Sequence, residues 1–132
     1  MAEEAIGERF ADTFQTLAAA EQGHARTVYR FWADTVAAPP AFEDVYENLS
    51  GKILEGGQDL DTACRQLADI SRNNPCLAMM ELALDMEYAA FDLYRIAAEM
   101  AGSKEARDAF LTIAQAEKAH MRTLIRAIDR CP

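Results

Sequence analysis

Glycine and proline are scarce in this sequence, with six glycines and four prolines among 132 residues. Alternating runs of aromatic and β-branched residues are absent, and so are low-complexity segments. These absences argue against strands and disorder, while the plentiful Ala, Leu and Met favour a mostly helical globular fold. The length fits one hydrophobic core, so residues 1–132 are predicted to form a single domain.

Basic residues are also in the minority: 13 Lys and Arg stand against 22 Asp and Glu, for a net charge of -9. Without a concentrated basic face, nucleic acid and anionic membrane surfaces would repel the chain, so neither is an expected partner. No stretch reaches the ~18 apolar residues of a membrane span, and Met1–Glu4 lacks the basic start of a secretory signal. A cytoplasmic location is therefore predicted.

Cysteine is limited to Cys64, Cys76 and Cys131. Their number is odd and no pair has C-x-x-C spacing, which argues against a disulfide framework and against a thiolate metal centre. Reduced thiols, buried or incidental, are the expectation.

Apolar residues at helical spacing predict three long helices, with shorter ones between the first and the second. The first long helix should stop before Pro39-Pro40, and Asn74, Pro75, Gly102 and Ser103 should cap or end the other two. The predicted ranges are about 3–37, 41–54, 59–70, 75–101 and 103–130.

The two histidines of the chain each follow a glutamate by three residues, as Glu21/His24 and Glu117/His120. This spacing places both side chains on one face of a helix. A single Glu-x-x-His turn of a helix is usually a hydrogen-bonded pair at the surface. Here, however, both pairs interrupt apolar stripes, and a carboxylate buried among apolar residues costs several kcal/mol unless a cation accompanies it.

Glu87 interrupts the apolar stripe of the second long helix in the same way. Residues of an antiparallel helix hairpin face each other when they are equidistant from the turn. The midpoint of Glu87 and Glu117 is residue 102, at the predicted turn. Glu87, Glu117 and His120 should therefore lie at one level.

Carboxylates with one imidazole per metal suit iron, with manganese as the alternative, better than structural zinc. Two metals are expected, with Glu21 and Glu117 as bridging ligands and with His24, His120 and Glu87 as terminal ligands. Tyr94 and Tyr29 lie nearby in sequence, but core packing is the simpler interpretation for both.

The segments Phe14–Ala25 and Phe110–His120 resemble the second and fourth bundle helices of rubrerythrin-like members of the ferritin-like superfamily, and Ala83–Tyr94 resembles the third. The resemblance implies an all-α, ferritin-like four-helix bundle with two iron ions and peroxidase, oxidase or ferroxidase activity.

The sequence departs from that family in its first helix, which would carry another glutamate ligand before Glu21. The segment 41–54 with Glu43, Glu47 or Glu55 could replace it, or a second chain could do so, and a homodimer is expected. Ala90 stands where the family has another glutamate, and a Cys-rich rubredoxin domain is absent. A reductant would then come from a separate electron-donor protein.

The preferred interpretation is a di-iron oxidoreductase that reduces peroxide or oxygen, or oxidises ferrous iron. Two alternatives remain: an iron storage or delivery protein, and a metal-free structural or interaction bundle.

Overall fold

The computed structural model of the protein describes residues 2–49, 51–54, 57–70 and 73–132. Five helices follow one another: α1 Ala2–Ala33, α2 Phe42–Glu47, α3 Leu60–Ile70, α4 Pro75–Met100 and α5 Lys104–Ile128. In these residues the only extended pairing is an isolated antiparallel bridge between Ile53 and Asp59. The all-α bundle with three long helices is thereby confirmed. No helix of the described chain is long and apolar enough to cross a membrane.

Helices α4 and α5 form an antiparallel hairpin whose ends are set by side-chain caps. The backbone N–H of Leu77 donates to Asn74 Oδ1 at 3.0 Å, and that of Ala106 donates to Ser103 Oγ at 3.1 Å. Each cap satisfies a backbone donor that the first turn of a helix leaves without a partner. The two helices therefore begin where the sequence predicts.

Two helices are shorter than predicted because local hydrogen bonds end them. Helix α1 stops at Ala33, four residues early, where the Thr35 hydroxyl donates to the carbonyl of Trp32 at 2.7 Å. Helix α2 spans only Phe42–Glu47, and the Asn48 amide donates to the carbonyl of Asp44 at 2.6 Å. Side chains of this kind offer the backbone an alternative to continuing the helix.

Two apolar clusters form the core, and the polar residues of the hairpin lie between them. The first cluster contains Phe10, Leu17, Cys76, Met80, Leu124 and Ala127, and the second contains Ala90, Tyr94, Ile113 and Ala114. Along α4 and α5, Glu87 and Glu117 fall between these two groups and are buried. A metal centre at that level would have apolar layers on both sides.

The prediction that all cysteines are reduced is wrong for two of the three. Cys76 and Cys131 form a disulfide with a Cα–Cα distance of 5.7 Å, whereas Cys64 is free and exposed. Cys76 lies in the first turn of α4 and Cys131 follows the end of α5, so the antiparallel hairpin brings them side by side. The cross-link ties the open end of the hairpin.

We expect Cys131→Ser to lower the free energy of unfolding by about 2–4 kcal/mol, because a cross-link between distant residues restricts the unfolded chain. The two cysteines are 55 residues apart. Urea unfolding of oxidised wild type, reduced wild type and the variant measures the effect. Cys64→Ser is the matched control and should leave the midpoint unchanged; equal stability of oxidised and reduced wild type would contradict the prediction.

Candidate metal centre

The three long helices bring all five predicted residues to one site. Helix α1 contributes Glu21 and His24 from one face, and α5 contributes Glu117 and His120 in the same way. Helix α4 contributes Glu87 at the level that the hairpin register predicts, with its Oε2 3.2 Å from His120 Nδ1. The imidazole rings of His24 and His120 stack with their centroids 5.9 Å apart.

Each glutamate of a Glu-x-x-His turn spans both histidines. Glu117 places Oε1 2.8 Å from His24 Nδ1 and Oε2 3.1 Å from His120 Nδ1. Glu21 places Oε2 3.0 Å from His24 Nδ1 and Oε1 3.2 Å from His120 Nδ1. Two carboxylates that share their oxygens between two imidazoles have the arrangement of bridging ligands between two metals.

Burial differs among the five residues. Glu117 is fully buried, and the side chains of Glu87, His24 and His120 are nearly so. Glu21 is the most accessible, with 28% of its side chain exposed. The centre therefore has one open side, at Glu21.

The carboxylates and imidazoles shift one another's pKa values strongly. Burial lowers the pKa of His24, but hydrogen bonds and charges from Glu117 and Glu21 outweigh it and raise the pKa to about 10. Hydrogen bonds that the carboxylates of Glu117, Glu21 and Glu87 accept raise the pKa of His120 to about 11. Burial raises the pKa of Glu87 to about 7. Burial also opposes ionisation of Glu117, but both histidines more than compensate and lower its pKa.

The donor set fits a cation better than it fits protons. Three carboxylate oxygens, from Glu21, Glu87 and Glu117, lie within 3.2 Å of His120 Nδ1. A ring nitrogen carries at most one hydrogen, which cannot satisfy three acceptors. Ligand atoms at right angles on one metal would lie roughly 3 Å apart, given metal–ligand bonds of about 2.1 Å. The distances of 3.1–3.2 Å between His120 Nδ1 and the three carboxylate oxygens agree with that value.

Ligand atoms of Glu21, Glu87, Glu117 and His120 all lie within 4.8 Å of one another and form a candidate metal-binding group. His24 joins this group through its contacts with Glu21 and Glu117. Carboxylate oxygens and imidazole nitrogens together suit iron and manganese. These residues therefore fit the pair of metals that the sequence predicts.

The candidates for a replacement ligand on α2 do not reach the centre. Glu43 is exposed and pairs with Arg26 at 3.3 Å, and Glu47 is exposed as well. Glu55 lies outside the described residues. A ligand from a second chain stays a prediction.

The two tyrosines differ in their relation to the centre. The Tyr94 ring packs edge-on against His24, with the centroids 6.2 Å apart, and also against Phe110. The Tyr29 hydroxyl donates to the carbonyl of Pro40, and its ring packs against Phe42. Of these two tyrosines, only Tyr94 therefore has its ring packed against a predicted metal ligand.

An all-α bundle with a carboxylate and histidine group between its long helices defines the ferritin-like class. Within that class, the family model described as Rubrerythrin matches residues 1–128. The chain therefore belongs to the rubrerythrin family, a ferritin-like di-iron family. No curated protein and no solved structure matches the chain in the same comparisons.

The free energy of unfolding of the metal-free protein should fall as the pH rises above neutrality. Both histidines have raised pKa values in the folded state, so their contribution is complete below about pH 6.5 and is lost as the pH approaches 10. Each proton held only by the folded protein gives a slope of roughly 1.4 kcal/mol per pH unit. Urea unfolding in chelator at several pH values between 7 and 9 measures this slope.

The variant His120→Gln should reduce that slope by roughly 1.4 kcal/mol per pH unit, the contribution of one proton. A wild-type stability that does not change across this pH range would show that the imidazoles are not held as cations in the folded protein.

Proposed function

We propose that the protein holds two iron ions at Glu21, His24, Glu87, Glu117 and His120 and uses them as an oxidoreductase centre. The observation that carries this proposal is the convergence of three carboxylate oxygens on a single imidazole nitrogen, His120 Nδ1. Membership in a di-iron family supports the choice of iron.

A pair of irons that changes between the ferrous and ferric states would supply two electrons to peroxide or oxygen. Glu21 and Glu117 would bridge the two metals, because each already spans both histidines. His24 and His120 would each bind one metal, and Glu87 would add a terminal carboxylate on the His120 side.

The surrounding core would keep water away from most of this centre. The apolar clusters that contain Met80 and Ile113 lie on either side of the buried glutamates along the hairpin. At the partly exposed Glu21, small molecules would reach the metals. An oxidant would therefore approach from the α1 side, where one bridging carboxylate borders solvent.

A homodimer and a separate electron-donor protein stay predictions. The mass of the protein in solution tests the first, and a large assembly in the same experiment would favour iron storage. Full thermal stability in chelator, with no metal in the purified protein, would favour a structural bundle.

We expect anaerobically loaded wild-type protein to hold about two irons per site. Glu117→Ala should lose most of this iron, because the fully buried bridging carboxylate is removed. Glu105→Ala on the same helix is the matched control, since Glu105 is exposed and pairs with Arg30 at 3.6 Å. Iron per chain, measured after desalting, compares the three proteins.

Addition of peroxide or oxygen to the loaded wild type should then oxidise the ferrous ions, which absorbance reports. Equal iron in wild type and Glu117→Ala would remove Glu117 from the centre. No iron in the wild type would overturn the proposed function.

A further inference from the structure

A cavity of about 460 Å³ lies between α1 and the α2 region, and its lining includes Glu21 and Tyr94. We call it the α1–α2 cavity. Its α1 wall includes Ala25, Val28 and Trp32, and its other wall includes Phe42, Tyr46 and Leu49. Among the lining residues that the structure describes, Glu21 is the one predicted metal ligand, so the cavity leads to the open side of the centre.

The α2 wall is attached to α1 by side-chain contacts of Phe42 and Glu43. The Arg26 guanidinium lies 4.2 Å from the centre of the Phe42 ring and pairs with Glu43. The Tyr29 ring packs against Phe42, with the centroids 5.6 Å apart. These contacts hold two apolar walls face to face, so the cavity is a pocket within one chain.

The lining chemistry restricts the ligand. The walls are apolar and aromatic, none of the lining residues that the structure describes is Lys or Arg, and the lining includes the Glu21 carboxylate. A carboxylate or phosphate ligand would find no cationic side chain among these lining residues. The cavity therefore suits an uncharged molecule with an apolar body and a small polar head directed at Glu21.

Hydrogen peroxide needs no such space, because it is little larger than a water molecule, whose share of the liquid is about 30 Å³. An organic hydroperoxide has both parts that the cavity requires: an apolar alkyl or aryl group and a polar, uncharged O–O–H head. The volume of the cavity, about 460 Å³, also falls within the range of typical small-molecule sites, about 300–1,000 Å³.

We propose that the α1–α2 cavity binds alkyl or aryl hydroperoxides and directs their O–O bond to the centre at Glu21. The proposal rests on the proposed function for its chemistry. The O–O bond breaks, two ferrous ions each give one electron, two protons are taken up, and an alcohol, water and two ferric ions result. The alcohol keeps the apolar group and leaves through the same cavity.

Binding can be measured without metal, because Trp32 is the only tryptophan of the chain and lines the cavity. The probe is 2-phenyl-2-propanol, the alcohol that forms from cumene hydroperoxide. Titration into metal-free protein should shift Trp32 emission to shorter wavelength and saturate, because the ligand displaces water from the indole. Trp32 is 43% exposed without a ligand.

Val28→Asp should weaken this binding about tenfold or more, because it places a charge in the apolar wall. Val28 is already 39% exposed, so the folded chain should tolerate the change. Leu93→Asp is the matched control, since Leu93 is 47% exposed on α4 and is not a lining residue. It should bind the probe as the wild type does.

The iron-loaded proteins give the second measurement, the ratio of the oxidation rate with cumene hydroperoxide to the rate with hydrogen peroxide. Val28→Asp should lower this ratio several-fold relative to Leu93→Asp. Absence of a saturable shift in the wild type, or equal binding by the two variants, would overturn the cavity site and leave the proposed function intact.

Two further outcomes would also overturn the inference. A dimer whose Trp32 emission is already that of a shielded indole would mean that a second copy covers the cavity. Probe binding by a protein that takes up no iron would retain an apolar site but would remove both hydroperoxide reduction and the proposed function.

Discussion

The structure depends on how a carboxylate is accommodated in the middle of an apolar bundle. Glu117 is fully buried, and its two oxygens face the Nδ1 atoms of His24 and His120. An isolated ionised carboxylate in such a place would cost many kcal/mol. Two imidazoles from different helices offset that cost in the metal-free protein, and their raised pKa values reflect the same interaction.

That requirement also explains which parts of the site the sequence reveals. Polar residues that interrupt an apolar stripe at Glu-x-x-His spacing must be buried together, so their partners are restricted to one another. The hairpin rule then locates Glu87 opposite Glu117, since both are equidistant from the turn at Gly102 and Ser103. Helix periodicity and one turn suffice for this placement, and the structure brings all five residues together.

The same rule would have found the disulfide. The midpoint of Cys76 and Cys131 lies between residues 103 and 104, so the hairpin places these cysteines side by side as it does the two glutamates. The prediction of reduced thiols depends on cysteine number, local spacing and cellular compartment, none of which contains this geometry. The ends of α1 and α2 differ from the predicted ends for another reason: single hydrogen bonds from Thr35 and Asn48 end these helices, and apolar periodicity contains no information about such bonds.

The five candidate ligands are divided unequally between parts of the fold. Glu87, Glu117 and His120 belong to one hairpin that has a capped start on each helix and a disulfide at its open end. Glu21 and His24 belong to α1, which packs on that hairpin through Phe10 and Leu17 at one end and through Phe31 against Phe110 at the other. Metals bound by all five residues would therefore attach α1 to a hairpin that is already formed, and their binding free energy would stabilise this contact most. Because the accessible candidate ligand Glu21 is on α1, the helix that would gain most from the metals is also the one that would meet the substrate.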